Sequence, residues 1–157
     1  MEAKVIWRKN MSFEGCADTG FTLPLGTDPS VGGDNDGFRP MELIAIGLAG
    51  CTAMDVVSIL NKKRQDVTNF EVQVHTDRSD EHPKVFTRAT IEYIIGGHGV
   101  DETAVVRAIE LSAMRYCPAQ AMLGQLMPID LNYNIYEDQG NGERKPVKSG
   151  KYKSPEE

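Results

Sequence analysis

The sequence is poor in the residues that form disulfide bonds and metal sites, since its 157 residues include only three cysteines and three histidines. An odd and small number of cysteines does not make the disulfide framework of a secreted domain. The histidines, at positions 75, 82 and 98, lack the close spacing of zinc ligands. We therefore expect no metal site, and thiols that are either core side chains or a reactive pair.

Positive charge is scarce as well, because the formal net charge is -6 and the pI is about 5.1. Such a surface disfavours a nucleic-acid backbone or an anionic membrane as the partner. The first ten residues carry charges where a secretory signal has an apolar run, so we expect a cytoplasmic protein. The glycine-rich loop at residues 26–37 lacks the Gly-Lys-Ser/Thr ending of a phosphate-binding loop and the glutamate of a calcium loop.

What the sequence does contain is one long apolar segment, residues 40–65. Between positions 43 and 60 the clearly polar residues are Thr52, Asp55 and Ser58. This pattern is typical of a helix that is buried on most sides. The segment is just long enough to cross a membrane, but Asp55 near the bilayer centre would cost about 2.5 to 3.5 kcal/mol. We therefore expect the helix to pack against protein.

The rest of the chain predicts short strands and two further helices in one domain over residues 1–137. The predicted strands occupy residues 3–7, 12–16, 21–25, 67–77, 85–95 and 129–135. A second helix begins at the N-cap Asp101 and continues to Tyr116, and Pro118 starts a short third one. Residues 138–157 have no periodicity and few apolar side chains, which predicts a mobile C-terminal tail.

Two of the cysteines have informative surroundings. Cys51 lies near the middle of the apolar helix, where a thiol is more often packing than a nucleophile. Small neighbours, including Gly47 and Gly50, leave room for a second backbone, although glycine inside a helix costs about 1 kcal/mol relative to alanine. Cys117 is expected to be the N-cap of the helix that begins at Pro118, where unpaired amides stabilise a thiolate.

Two motifs connect these thiols to a family. The first runs Pro40-Met41-Glu42-Leu43 and Gly47-Leu48-Ala49-Gly50-Cys51, and the second is Cys117-Pro118-Ala119-Gln120-Ala121. In this order, and over about residues 3–136, they resemble the OsmC/Ohr family of osmotically induced and organic-hydroperoxide-resistance proteins. The resemblance implies an α+β fold, the OsmC-like fold, with antiparallel sheets packed around two central helices. It also implies that two chains interlock as a homodimer with active sites at the interface.

The function that the resemblance implies is thiol-dependent reduction of a small organic hydroperoxide, without a cofactor or metal. Cys51 would be the peroxidatic residue, whose thiolate becomes a sulfenic acid. Cys117 would be the resolving residue, which condenses with it to a disulfide that an external dithiol reduces. The alternative is a non-catalytic dimer that binds a small apolar ligand at its interface pocket.

The activating groups of the family are only partly matched. Met41 occupies the position where members proven in this chemistry carry a glutamate, and Glu42 follows on the side of the helix opposite Cys51. Glu42 is a candidate for the missing carboxylate across a dimer, and Arg8 and Arg39 are candidates for the arginine that holds the thiolate.

The remaining polar residues near the motifs give no support for a reactive thiol. Asp55, one turn after Cys51, would raise the pKa of a neighbouring thiol unless Asp55 is paired. Cys16 lies outside both motifs, and no motif pairs Cys51 with a histidine for acyl transfer.

Overall fold

The computed structural model describes residues 1–152. The chain divides into two compact units. The first is Met1–Ile44 and the second begins at Ala45, with one long helix running from the first into the second. The elements are β1 Ala3–Lys9, β2 Ser12–Ala17, β3 Thr22–Leu25, α1 Pro40–Lys62, β4 Asp66–Arg78, β5 Phe86–His98, α2 Glu102–Leu111, α3 Pro118–Leu123, β6 Ile129–Asp138 and β7 Arg144–Tyr152. The expected single domain over residues 1–137 therefore stays a prediction, and its boundary falls inside β6.

The first unit is a three-stranded antiparallel meander in the order β1-β2-β3. Its three strands confirm the predictions, because alternating side chains and the Asp18-Thr19-Gly20 turn specify the hairpin locally. The glycine-rich loop contains one 3-10 turn, Pro29–Val31, in which the carboxylate of Asp28 accepts a hydrogen bond from the backbone N–H of Ser30.

The second unit contains a four-stranded sheet in the order β4-β5-β6-β7. Strands β4 and β5 form the predicted antiparallel hairpin, with Val72 opposite Tyr93. Strands β5 and β6 are parallel, with Ile91 opposite Leu131. The expectation of purely antiparallel sheets is therefore wrong at this pair, because the helical crossover between β5 and β6 returns the chain to the end where β5 began. The α+β class with two sheets is confirmed.

The core of the second unit lies between this sheet and the helices. Helix α1 contributes one buried stripe, Leu48, Thr52, Val56, Ile59 and Leu60, and α2 contributes Ala104, Val105, Ala108 and Ile109. The expectation that α1 is buried on most sides is wrong for this chain, because Ile46 and Met54 are exposed on it. Among the described residues α1 is the one helix long and apolar enough to cross a membrane, a property that core helices of soluble proteins share.

The C-terminal segment differs from its prediction as a mobile tail. Strand β7, Arg144–Tyr152, pairs antiparallel with β6, so that Ile135 lies opposite Lys148. Most of its side chains are exposed, and backbone pairing at a sheet edge needs no apolar alternation. Lysines and a proline are typical of such edges, which explains why the sequence pattern did not show this strand. Residues 153–157 of the predicted tail lie outside the described residues.

Strand β7 can be tested at Gly150, which packs against the ring of Tyr133. A Cβ added at Gly150 would clash with the Tyr133 hydroxyl, which is held by a 2.9 Å hydrogen bond to Glu102. We expect Gly150→Ala to destabilise the protein by about 1 to 3 kcal/mol through overpacking, measured by urea unfolding. The neighbouring Ser149→Ala is the matched control. An equal free energy of unfolding for the two variants would show that Gly150 does not pack against Tyr133.

Candidate active site

Helix α1 and the segment before α3 place two of the three thiols side by side. Cys51 is half-buried, Cys117 is buried, and both are free thiols. They lie close enough that Cys51 acts on the ionisation of Cys117 through hydrogen bonding and charge. The two cysteines that the sequence motifs singled out are thus neighbours, although they are distant along the chain.

The backbone around Cys117 departs from a regular helix. Helix α2 ends at Leu111, earlier than predicted, and the chain continues as one turn of π-helix, Ser112–Tyr116. The backbone N–H of Cys117 donates to the carbonyl of Ser112 at 2.9 Å, which closes this wider turn. Helix α3 then begins at Pro118, and the Cys117 sulfur accepts a hydrogen bond from the backbone N–H of Gln120 at 3.4 Å. The predicted N-cap role of Cys117 is confirmed.

The amides at this N-cap act on the Cys117 thiol in the predicted direction, but burial outweighs them. The pKa of Cys117 is raised from 9.0 to about 11: burial is the largest cause and Cys51 adds to it, while the backbone N–H groups of Gln120 and Ala119 lower it. Two amide donors at the start of a six-residue helix do not replace the water that the thiolate would lose. Cys117 is therefore protonated at neutral pH.

A buried network of polar side chains lies next to the two thiols. Its centre is Thr52, whose Oγ1 contacts the Tyr93 hydroxyl at 2.6 Å, Ser112 Oγ at 2.9 Å and Gln120 Nε2 at 2.9 Å. Ser112 Oγ donates to Asp55 at 3.0 Å, so the carboxylate that was expected to disfavour a thiolate has a partner. Burial raises the pKa of Tyr93 to about 12, which keeps its hydroxyl neutral.

Sequence reasoning noted Thr52 and Asp55 as polar interruptions of the apolar helix but did not connect them with other residues. Tyr93, Ser112 and Gln120 were missed as members of a network. A usable signal was available, because Ser112 falls on the apolar face of the predicted second helix and Gln120 belongs to the second motif. Polar side chains at buried positions generally require partners.

The charged candidates have partners within the first unit. Arg8 forms an ion pair with Glu14 at 2.7 Å. Arg39 contacts Asn35 Oδ1 at 2.8 Å and Glu42 Oε1 at 3.5 Å. Glu42 also accepts a hydrogen bond from the Arg39 backbone N–H at 2.9 Å, which caps the start of α1. The geometry thus joins Arg39 and Glu42 as a pair.

The other titratable candidates are separate from these groups. Cys16 lies on β2 between the paired positions Lys4 and Thr22 and is half-buried. His75 and His98 each face one carboxylate, on Asp77 and Glu137 respectively. Within residues 1–152 no three side chains of the kind that hold a metal lie together.

The chain matches the family model described as OsmC-like protein over residues 33–132, a span that includes both thiols. The chain belongs to the OsmC-like family. It is 36% identical over 138 residues to Protein YhfA of Escherichia coli K12, covering 86% of this chain and 98% of that protein.

Two solved structures show the OsmC-like fold of this chain. A hypothetical protein from Aquifex aeolicus VF5 has 25% identity and a TM-score of 0.77, with 88% of this chain and 97% of that chain covered. An organic hydroperoxide resistance protein from Legionella pneumophila, also described as a predicted redox protein, has 16% identity and a TM-score of 0.60, with 85% and 94% covered. At 16% identity the likeness shows the fold alone.

The burial of Cys117 predicts a late titration. In a Cys16→Ser/Cys51→Ser variant, alkylation of Cys117 by iodoacetamide should reach half its maximal rate well above pH 9, because the raised pKa delays thiolate formation. Replacing Cys51 removes its part of the upward shift but leaves burial, the largest cause, so at about pH 8 the thiolate fraction should still be well below that of a thiol with a pKa of 9.0. Cys16, alone in a Cys51→Ser/Cys117→Ser variant, is the control. A profile with its midpoint at or below pH 9 would contradict the role of burial.

Proposed function

We propose that the chain is a two-cysteine peroxidase that reduces organic hydroperoxides. The observation that carries this proposal is the contact between Cys51 and Cys117, in which one thiol is half-buried and the other buried. Membership of the OsmC-like family supports it, as does the shared fold with the Legionella pneumophila hydroperoxide resistance protein.

The reaction follows from the state of each thiol. The Cys51 thiolate attacks the terminal peroxide oxygen, the O–O bond breaks, and the alkoxide leaves as an alcohol after taking up a proton. Cys51 is then a sulfenic acid. The sulfur of Cys117 bonds to the Cys51 sulfur and expels the hydroxyl, which leaves as water with the Cys117 proton. The thiol pair has supplied two electrons, and an external dithiol restores it by thiol–disulfide exchange.

The exposed apolar face of α1 supports a homodimer. Ile46 and Met54 are 50% and 75% exposed although the helix is among the most apolar segments of the chain. A second copy would remove these side chains from water. In such a dimer Arg8 and Arg39 are the candidate cations for the Cys51 thiolate, and Glu42 would orient Arg39 through the contact already described. We place the protein in the cytoplasm, where dithiol reductants keep such thiols reduced.

The alternative function is a dimer that binds a small apolar ligand without turnover. Met41 favours it, because an apolar side chain stands where the family's peroxidases carry a carboxylate. Catalysis and binding differ in whether the two thiols are consumed, so one assay separates them.

Peroxide consumption should depend on both thiols in different ways. We expect reduced protein mixed with cumene hydroperoxide to lose two thiols per chain and to consume one equivalent of peroxide. Cys51→Ser should slow this reaction at least about a hundredfold, because the nucleophile is removed. Cys117→Ser should consume one equivalent, leave a sulfenic acid that dimedone traps, and then stop.

Cys16→Ser is the matched control in this assay and should behave as the parent protein does. Thiols that stay reduced, or a Cys51→Ser variant that consumes peroxide at the parent rate, would refute the peroxidase proposal. Saturable binding of cumyl alcohol without loss of thiols would instead support the ligand-binding alternative.

The dimer should depend on the exposed face of α1. We expect the parent protein to sediment at twice the 17.3 kDa of one chain. Met54→Glu should shift it toward the monomer by at least about tenfold in dissociation constant, because a charge would be buried at the interface. Val147→Glu, at an exposed position on β7, is the control. A monomeric parent protein would contradict the proposed interface.

A further inference from the structure

We propose that Thr52, Ser112 and Gln120 are positioning residues that hold the Cys117 segment against helix α1, so that Cys117 stays beside Cys51. The proposal deepens the proposed function and rests on its pairing of the two thiols. None of the three side chains is needed as a nucleophile or a proton carrier. Their role is to fix the distance between two sulfurs that belong to different elements.

Gln120 connects one thiol to the other helix. Its backbone N–H donates to the sulfur of Cys117 at 3.4 Å, and its side-chain Nε2 donates to Thr52 Oγ1 at 2.9 Å. Thr52 directly follows Cys51 on α1. One residue therefore contacts the resolving thiol with its backbone and the neighbour of the peroxidatic thiol with its side chain.

Ser112 provides a second connection from the other end of the same segment. Its carbonyl accepts the backbone N–H of Cys117 at 2.9 Å, and its hydroxyl bonds Thr52 at 2.9 Å and Asp55 at 3.0 Å. The π-helical turn and the start of α3 are thus bound on both sides of Cys117 to one turn of α1, between Thr52 and Asp55. A single hydrogen bond would allow this segment to pivot, whereas two restrain it.

The network has one consistent set of hydrogen-bond directions. The Asp55 carboxylate only accepts, so the Ser112 hydroxyl donates to it and accepts from the Thr52 hydroxyl. The Thr52 oxygen then accepts from the Tyr93 hydroxyl and from the Gln120 amide. Removing the Thr52 hydroxyl takes from Ser112 its donor and leaves the Gln120 side-chain amide with only the Tyr93 hydroxyl at 3.5 Å.

The experiment measures how strongly the fold brings the sulfurs together, without using peroxide. Reduced protein in a Cys16→Ser background is equilibrated with glutathione, so that two thiols and glutathione disulfide give the Cys51–Cys117 disulfide and two glutathione thiols. Counting free thiols after acid quenching gives the equilibrium constant of the pair. This constant reports the effective concentration of one thiol at the other.

Thr52→Val and Gln120→Met should each lower this constant about tenfold, which corresponds to a reduction potential about 30 mV less negative. Thr52→Ser keeps the hydroxyl and should restore the constant to within about twofold of the parent. Tyr133→Phe is the matched control, because it deletes a hydroxyl that bonds Glu102 outside the network. Tyr133→Phe should lower the stability of the protein and leave the equilibrium constant unchanged. If Thr52 contributed only to stability, Thr52→Val would give the same result.

The outcomes separate this inference from the peroxidase proposal. The protein could fail to react with cumene hydroperoxide and still form a disulfide with glutathione whose equilibrium constant falls in Thr52→Val. This result would refute the peroxidase proposal and support the positioning role. Network variants with the parent's equilibrium constant would overturn the positioning role, whatever happens to the peroxide. A parent protein that forms no Cys51–Cys117 disulfide would also overturn it. If Thr52→Val does not fold by circular dichroism, Gln120→Met decides the question.

Discussion

The site depends on the burial of one hydroxyl, that of Thr52, on an otherwise apolar stripe of helix α1. A buried hydroxyl without partners costs about 1 to 3 kcal/mol, so a second element must bring hydrogen-bonding groups to it. The structure meets this requirement with Ser112, Gln120 and Tyr93, which come from a π-helical turn, a short helix and the sheet. Satisfying Thr52 therefore draws the Cys117 segment to the helix that carries Cys51.

The two thiols differ in solvent exposure, and this difference affects ionisation and access. Cys117 is buried, and desolvation outweighs the amides at the start of α3, so the thiol keeps its proton at neutral pH. Cys51 is half-buried and can be reached from outside. This asymmetry suits a pair in which the accessible sulfur reacts first and the protonated one follows, since the second step releases water and needs a proton.

Helix α1 combines two kinds of apolar surface. One stripe packs into the core of the second unit, and Ile46 and Met54 extend the apolar surface into solvent. A sequence of this composition does not distinguish burial within one chain from burial between two chains, because the side chains required are the same. The same apolar composition, together with its length, gives α1 the properties of a membrane-spanning helix.

Local signals in the sequence determined most elements of this fold. The alternation in β4, the Asp101 N-cap of α2 and the Cys117-Pro118 start of α3 each act within a few residues, and the structure has all three. The motifs around Cys51 and Cys117 also identified the family. The roles of Arg8, Arg39 and Glu42 stay predictions, because such roles depend on contacts that no local pattern encodes.

Tertiary structure alone decided the rest. The parallel pairing of β5 with β6 depends on where a crossover returns, and β7 is held by backbone hydrogen bonds that leave no apolar pattern. The raised pKa of Cys117 could not be predicted, because a helix terminus is visible in sequence, whereas the desolvation that outweighs it comes from residues distant along the chain. For the same reason, the contact between the thiols and the network around Thr52 exist only once the chain is folded.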